Sequence, residues 1–195
     1  MRLKILSVGD VLLRQRARPL TPEEVRSPEI RQLIQHMRET LNDAPGVGLA
    51  APQIGLPLQL AVIEDREEYF ATATAEQIAE RERCPVEFHV IVNPVLQLQP
   101  EPDVEFFEGC LSVPGLMAIV PRAGRVRVDC LDQNGVPRGI DARGWYARIL
   151  QHEIDHLQGV LYLDRMYSRS FCTVDNHNRF WKMKTIRQAR EELDL

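Results

Sequence analysis

Residues 144–159 read GWYARILQHEIDHLQG, and this stretch predicts the central element of the fold. Its large apolar and imidazole side chains recur every three or four positions: Trp145, Ile149, His152 and His156. That spacing places them on one face of an α-helix. Gly159 then provides a residue that commonly ends a helix. We therefore predict a buried central helix over 144–158.

The pentapeptide HEIDH, residues 152–156, contains two histidines four positions apart. Side chains at this spacing lie one above the other on a helix, so His152 and His156 can bind a single metal ion. Glu153 lies beside them and is suited to act on a water molecule as general base and later as general acid. The motif therefore indicates a metal-dependent hydrolase, although HExxH also arises by chance in unrelated chains.

A catalytic metal site needs a third protein ligand and one open position. One class of HExxH enzymes has a third histidine ligand six residues after the motif, but in this sequence that residue is Tyr162. Another class uses a downstream glutamate as third ligand, but the glutamates beyond the motif here lie near the C-terminus. The ligand is therefore expected upstream, where EGCLSVPG at 108–115 offers Cys110. Because a single cysteine is more often a small buried hydrophobe, Cys110 is a candidate ligand rather than an assigned one.

The segment GVGLAAPQIG at 46–55 fits the GxGxxA pattern of dinucleotide-binding loops. That pattern must follow a strand and open a helix, whereas here a helix precedes it and Pro52 blocks helix propagation. We interpret the segment as a loop whose glycines expose the backbone to a substrate. The side-chain amide of Gln53 in this loop can donate a hydrogen bond to an oxyanion. The alternative is that Gln53 is a solvated loop residue.

The rest of the chain predicts helices at its two ends and strands between them. Ser27 and Pro28 begin a helix over 28–43, and a buried strand starts at Leu58. The polar stretch between Asp65 and Glu87, which we call the insertion, is expected to lie at the surface and to be partly helical.

Short strand-like runs follow the insertion at 88–92, 94–98, 104–108, 117–120, 126–131 and 160–164. Asn134-Gly135 marks a hairpin, and a charged C-terminal helix is predicted over about 176–193. This order favours an α+β fold with antiparallel sheets around a central HExxH-bearing helix. We expect a single domain over residues 1–195.

Composition narrows the class of protein. With 195 residues, 44% of them hydrophobic, and a net charge of -4, the chain is typical of a soluble globular domain. We expect no membrane span and no direct contact with DNA. The start, MRLKILSVGD, shows neither a signal peptide nor a transit peptide, and the four cysteines form no CxxC pair. A reducing, cytoplasmic compartment is expected.

Taken together, GVGLAAPQIG, EGCLS and QHEIDH resemble, in order and spacing, the three motifs of the peptide deformylase family. The resemblance extends over about residues 5–170. It implies the α+β fold of that family, one Fe²⁺ ion, and removal of the formyl group from the initiator methionine of newly synthesised proteins. Two features resemble a subtype of this family that has mitochondrial, plant-organelle and bacterial members: the stretch GWYARILQHEIDHLQG and the insertion. We expect a bacterial cytoplasmic enzyme.

The resemblance also implies roles for individual residues. Cys110, His152 and His156 would bind the metal, which Zn²⁺, Ni²⁺ or Co²⁺ can replace, and Glu153 would be the general base. Gln53 and the backbone N–H of Leu111 would hold the oxyanion. The backbone of Val47 and Gly48 would bind an N-formylmethionyl nascent peptide in extended form. Four side chains are expected near the methionine pocket: Val47, Phe106, Arg148 and Ile149. Arg148 replaces an apolar residue of well-known bacterial members, so the alternatives are that it shapes the pocket rim or contacts the substrate backbone.

Three questions stay open at this level. A zinc peptidase that cuts internal peptide bonds would use the same chemistry in a longer cleft. A closed structural site would need a fourth ligand from His36, His89 or His177. The basic side chains of the C-terminal segment either form a solvated face or contact ribosomal RNA: Arg179, Lys182, Lys184, Arg187 and Arg190.

Overall fold

The computed structural model describes residues 2–44 and 46–195 and has the α+β architecture that the sequence predicts. The α-helices are α1 (Pro22–Arg26), α2 (Pro28–Asp43), α3 (Ala75–Glu80), α4 (Gly144–Leu157), α5 (Val174–Asn176) and α6 (Ile186–Leu193). The strands are β1 (Gly48–Ala50), β2 (Leu60–Asp65), β3 (Val86–Leu98), β4 (Asp103–Cys110), β5 (Val113–Ala123), β6 (Arg125–Leu131), β7 (Pro137–Arg143) and β8 (Cys172–Thr173).

The strands form two antiparallel sheets. Five of them lie in the order β1-β2-β3-β6-β7, and the other three in the order β4-β5-β8. Helix α4 contacts strands of both sheets. The segment HEIDH is therefore held between the two sheets.

The larger sheet is covered on both faces, which explains the continuous apolar run in β2. Alternate residues of a strand point to opposite faces. Ala61 and Ile63 pack into the cluster that contains α4, whereas Leu60 and Val62 pack into the cluster that contains α2. Because both faces are buried, α4 rests on a close-packed apolar base through one set of side chains: Ala147, Leu150, Ile154 and Leu157.

Two of the three long predicted helices are confirmed. Helix α2 begins at Pro28, where the Ser27 hydroxyl accepts a hydrogen bond from the Ile30 N–H at 3.2 Å. Helix α4 spans Gly144–Leu157 and is followed by Gly159 with a φ of +74°. A positive φ at this place is the conformation in which glycine ends a helix at little steric cost.

Several predicted strands differ from the structure. Strand β3 is continuous where separate strands were predicted at 88–92 and 94–98, because Asn93, with a φ of +50°, forms a bulge rather than a turn. The Asn93 side chain bonds the backbone of Leu20, which holds the bulge. The strand predicted at 160–164 is wrong, because Tyr162–Asp164 forms a 3-10 turn in which the Asp164 carboxylate accepts the Leu161 N–H.

Three strands were not predicted: β1, β7 and the two-residue strand β8. The segment interpreted as a loop contains the short edge strand β1 and a 3-10 turn at Ala51–Ile54, since backbone pairing with β2 overrides its glycine content. Strand β7 is an edge strand whose inward side chains are only Ile140 and Ala142, so its apolar alternation is too short to stand out.

The continuous C-terminal helix predicted over 176–193 is also wrong. The chain forms one turn of π-helix at His177–Trp181 and then begins α6 at Ile186. Thr185 caps this second helix by accepting the Gln188 N–H, while the Gln188 side chain accepts the Thr185 N–H. This reciprocal cap starts a new helix where the charge pattern suggested a continuous one.

The insertion is partly helical, as predicted, and it contacts the start of α4. It contains the 3-10 turn Glu67–Tyr69 and helix α3. The Arg81 carbonyl accepts a hydrogen bond from the Trp145 N–H at 2.8 Å. Gly144 permits this approach, because it has a φ of +58° and an added β-carbon would lie 2.6 Å from that carbonyl oxygen.

Within the two described ranges, no helix combines the length and the apolar character that a membrane span requires.

The contact at Gly144 generates a stability prediction. Gly144→Ala combines a left-handed backbone with an overlap against residues 81 and 82, so we expect it to lower the free energy of unfolding by about 2–4 kcal/mol. Gly115→Ala is the matched control, because its φ is +75° and no atom lies within 4 Å of an added β-carbon. It should lose only about 1 kcal/mol. Equal losses in urea denaturation would show that the contact contributes nothing.

Candidate active site

Three potential metal ligands converge from two elements. Helix α4 presents His152 and His156 one turn apart, with their Nε2 atoms separated by 3.2 Å. The Cys110 Sγ lies 3.3 Å from the His156 Nε2. The β4–β5 register shifts between Gly109 and Cys110, and such a bulge redirects the side chain that follows. The three ligand atoms all lie within 4.8 Å of one another.

The electrostatics of this group suit a cation. Burial lowers the pKa of His152, but the negative charges of Cys110 and Glu108 outweigh burial and hold that pKa well above its usual range. Burial and the neighbouring His152 hold the pKa of His156 well below its usual range. One thiolate and two imidazoles are also the donor set that borderline-soft divalent metals prefer. The residues therefore fit a divalent transition-metal ion.

Glu108 orients the metal site and was not assigned a role from the sequence. Its buried carboxylate accepts hydrogen bonds from the His152 Nδ1 at 2.6 Å, from Arg122 at 2.6 Å and from Arg148 at 2.9 Å. Bonding at Nδ1 leaves the His152 Nε2 directed toward Cys110. Burial raises the pKa of Glu108, but His152 and Arg122 outweigh it and hold this pKa well below its usual range.

The charged cluster continues along α4 through Asp155. Its carboxylate pairs with the same Arg122 and, at 2.7 Å, with Arg165. One feature of the sequence could have indicated the role of Glu108. It is an acidic residue two positions after Phe106, and therefore on the same, core-facing side of the strand. Alternation marks the position as buried, but it does not identify the partners that compensate the charge.

Glu153 lies beside the ligands with one carboxylate oxygen unbonded. Its side chain is 3% exposed, and Oε2 has no hydrogen-bond partner within the described part of the chain. Burial raises the pKa of Glu153 to about 7. The carboxylate packs directly on the backbone of Gly48, where an added β-carbon would lie 2.5 Å from the Glu153 Cδ. Gly48 is therefore needed for the close approach of Glu153 to this strand.

Gln53 is a fixed amide rather than a solvated loop residue. It is 1% exposed, and its Oε1 accepts the Ala50 N–H at 2.8 Å. Its Nε2 donates to the Ser112 hydroxyl at 3.2 Å and lies 3.6 Å from the Cys110 Sγ. The amide N–H group is thus directed toward the metal ligands, on the same cavity wall as Leu111.

A cavity of about 470 Å³ opens over these residues. Most residues predicted for the site line it: Val47, Gly48, Gln53, Cys110, Leu111, Arg148, Ile149, His152 and Glu153. His156 lies behind this wall and is 1% exposed. Sequence reasoning missed several lining residues, among them Arg83 from the insertion, Trp145 at the start of α4 and Val174 of α5.

Two assignments to the methionine pocket need correction. Phe106 does not line the cavity; its ring packs edge-on against Trp145, with centroids 6.3 Å apart, and so lies behind the wall. Arg148 lines the cavity, but its guanidinium donates to Glu108 and to the carbonyls of Val104 and Val120. At 2% exposure it is a buried structural cation and not a rim residue.

The hypothesis of a closed structural metal site requires a fourth protein ligand, and the described residues provide none beside these three. The metal-ligating group there consists of Cys110, His152 and His156. The histidines considered as a fourth ligand lie elsewhere: His36 contacts Gln32, His89 contacts Tyr146, and His177 packs edge-on against Phe107.

The bond from Glu108 to His152 leads to a prediction about metal affinity. Glu108→Gln removes the charge that supports His152 as a ligand, and we expect the affinity for Co²⁺ to fall about 10- to 100-fold in chelator competition. Glu64→Gln is the matched control, because Glu64 is a buried carboxylate paired with Arg66 and Arg38 away from the metal ligands. An unchanged affinity in a folded Glu108→Gln protein would contradict the role assigned to this carboxylate.

Comparisons with known proteins agree with this site. The polypeptide deformylase family profile matches residues 2–171. The chain is 46% identical over 172 residues to peptide deformylase 1A, chloroplastic, of Solanum lycopersicum, covering 88% of this chain and 62% of that protein. It is 47% identical over 173 residues to peptide deformylase 1A, chloroplastic/mitochondrial, of Arabidopsis thaliana, covering 89% and 64%. The chain thus spans less than two thirds of the length of these plant relatives.

A solved structure shows the same architecture. A class I type b peptide deformylase from Acinetobacter baumannii with Met-Ala-Ser bound superposes with a TM-score of 0.75 at 30% identity. The alignment covers 85% of this chain and 99% of that one.

The predicted bacterial cytoplasmic location is wrong in the light of these relatives, which are named chloroplastic or chloroplastic/mitochondrial. The prediction relied on the composition of the first ten residues. A catalytic domain folds in the same way in either compartment, so its sequence carries little information about location.

The family match includes the HEIDH helix, the strand that ends at Cys110 and the segment around Gln53. These are the elements that converge on the metal ligands in the structure. The chain belongs to the peptide deformylase family.

Proposed function

We propose that this chain is a metal-dependent hydrolase that removes the N-formyl group from the initiator methionine of newly synthesised proteins. The observation that carries the proposal is the convergence of Cys110, His152 and His156 beside the unbonded carboxylate oxygen of Glu153. The names of the relatives support the reaction, and the Met-Ala-Ser peptide bound to the Acinetobacter baumannii protein supports the substrate class.

We propose Fe²⁺ as the metal, held by the Cys110 thiolate and the two imidazoles. When bound, such an ion polarises the formyl oxygen and makes water a stronger acid, so that water attacks at neutral pH. Glu108 keeps His152 in the tautomer and orientation that present Nε2 as the ligand. Zn²⁺, Ni²⁺ and Co²⁺ have overlapping ligand preferences and would occupy the same residues.

Glu153 is the proposed proton carrier. Its unbonded oxygen takes a proton from the attacking water as the new bond to the formyl carbon forms. The carbon–nitrogen bond then breaks, and Glu153 passes the proton to the departing amine of methionine. The products are formate and a peptide with a free N-terminus, and Glu153 returns to its starting state.

Gln53 and the Leu111 N–H are the proposed oxyanion donors. The Gln53 amide is held by Ala50 and Ser112, so little reorganisation is needed when charge develops on the substrate oxygen. Within the described ranges the edge strand β1 pairs with β2 alone, and its other edge is the proposed binding place of an extended peptide at Val47 and Gly48.

Replacing the proton carrier tests the mechanism. Glu153→Gln keeps the size of the side chain but cannot accept the proton, so we expect a loss of about 10²- to 10⁴-fold in kcat with the metal content unchanged. Formate release from formyl-Met-Ala-Ser measures the activity, and elemental analysis measures the metal. Glu64→Gln should retain activity, since its carboxylate lies outside the site. Full activity of Glu153→Gln would refute the assignment, and cleavage of internal peptide bonds by the wild type would instead support a peptidase.

The choice of metal yields a second prediction. A thiolate and a ferrous ion are both oxidisable, so protein prepared without oxygen should contain about one iron per chain and lose activity in air. Replacement by Ni²⁺ or Co²⁺ should slow this loss, as followed by timed assays with parallel metal analysis. An iron form that is stable in air would contradict the assignment.

Contact with the ribosome stays a prediction, and the structure reduces the charge available for it. Lys184 pairs with Glu192, and Arg190 pairs with Glu105 at 2.9 Å. Among the described residues, the other three basic side chains of the segment have no carboxylate within ion-pair distance and are the ones proposed to contact RNA: Arg179, Lys182 and Arg187.

A further inference from the structure

Trp145 forms the part of the cavity wall farthest along α4 from the metal ligands. It lies seven residues before His152, which is about 10 Å along a helix, and Ile149 lies between them on the same face. Ile149 and Trp145 thus form one strip of the cavity wall that begins beside Glu153 and ends at the indole ring. On the proposed function, this strip would face the first side chain of a peptide whose amide nitrogen lies near Glu153.

The insertion holds this indole through two arginines. The guanidinium carbon lies 5.1 Å from the ring centroid for Arg81 and 5.2 Å for Arg83. Arg148, from α4 itself, adds a third guanidinium at 6.0 Å. The Trp145 Nε1 is buried and has no hydrogen-bond partner in the described part of the chain. The orientation of the ring therefore depends on stacking rather than on a hydrogen bond.

Arg83 is not an anion-binding residue, although it lines the cavity. Its Nε and Nη2 each donate to Asp65 at 2.8 Å, and the Asp65 side chain is fully buried. The charge is thus balanced inside the protein. The same guanidinium also lies over the Phe70 ring at 4.6 Å, which fixes its plane. Arg83 therefore presents a rigid planar surface to Trp145, and the strip suits an apolar or thioether side chain rather than an acidic one.

We propose that the insertion, through Arg81 and Arg83, positions Trp145 as the end wall of the methionine pocket and so determines which first side chains the enzyme admits. The inference rests on the proposed deformylase function and extends it to specificity. Arg83 is a positioning residue that acts through the indole. The Arg81 carbonyl, which bonds the Trp145 N–H at 2.8 Å, fixes the backbone from which the ring projects.

Arg83→Lys tests the proposal, because lysine keeps the ion pair with Asp65 but lacks the planar guanidinium. We expect KM for formyl-Met-Ala-Ser to rise about five-fold while kcat stays within about two-fold. The kcat/KM preference for formyl-Met-Ala-Ser over formyl-Phe-Ala-Ser should fall by about the same factor, since a loosened wall admits a bulkier ring. Arg38→Lys is the matched control: Arg38 lies over Phe88 at 4.2 Å and pairs with Glu64, but it does not line the cavity.

If Arg83→Lys fails to fold, Trp145→Phe provides the second variant, since it leaves the Arg83–Asp65 pair intact. It should shift KM and the preference in the same direction. A folded variant of either kind with unchanged KM and unchanged preference would overturn the proposal. A fall in kcat with constant KM would also overturn it, because that pattern indicates disturbance of the metal site rather than of the pocket.

A binding measurement separates this inference from the proposed function. Trp181→Phe leaves Trp145 as the only tryptophan, and addition of Met-Ala-Ser should then change its fluorescence. Adding Arg83→Lys should weaken that titration about five-fold. Absence of deformylation with an intact titration would refute the proposed function alone. Deformylation without any response of Trp145 would refute the positioning role alone.

Discussion

The buried carboxylate of Glu108 is the group on which the rest of the site depends. It lies on β4 and bonds His152 and Arg148 of α4 and Arg122 of β5. The Arg148 guanidinium, about 2% exposed, would be severely unfavourable without it, and Arg122 would keep only its pair with Asp155. The contacts that attach α4 to the smaller sheet are therefore the contacts that direct His152 toward Cys110, so the stability of the core and the geometry of the ligands share one electrostatic cluster.

Close packing on the opposite side makes that geometry rigid. One apolar face of the larger sheet packs on α4 and the other packs on α2. Because this packing is close, α4 has little freedom to move relative to β1. Gly48 of β1 then lies directly against Glu153 without a side chain between them. The insertion bonds the first turn of the same helix. One helix is thus held at its start, along its base and at its ligands, which suits a site whose groups must already be in place before the substrate binds.

Sequence reasoning succeeded where local spacing carries the information. The helix over residues 28–43 and the HEIDH helix follow from apolar periodicity and from Pro28 and Gly159. It failed where long-range contacts decide. Asn93 forms a bulge because Leu20 bonds it, and β7 is a strand because β6 pairs with it. Phe106 was expected in the pocket, but its ring packs against Trp145 and does not line the cavity, a relation between strand and helix that no spacing reveals.

The sequence by itself determined the candidate chemistry: two histidines one helical turn apart, a glutamate between them, and a cysteine and a glutamine in separate motifs. These are properties of residue type and local periodicity. The tertiary structure alone decided how their charges are compensated. Arg148 is a partner of Glu108, and Arg83 is a balanced cation beside an indole, because β4 brings Glu108 to the first and the end of β2 brings Asp65 to the second. A buried ion pair requires two partners, and only folding places the second.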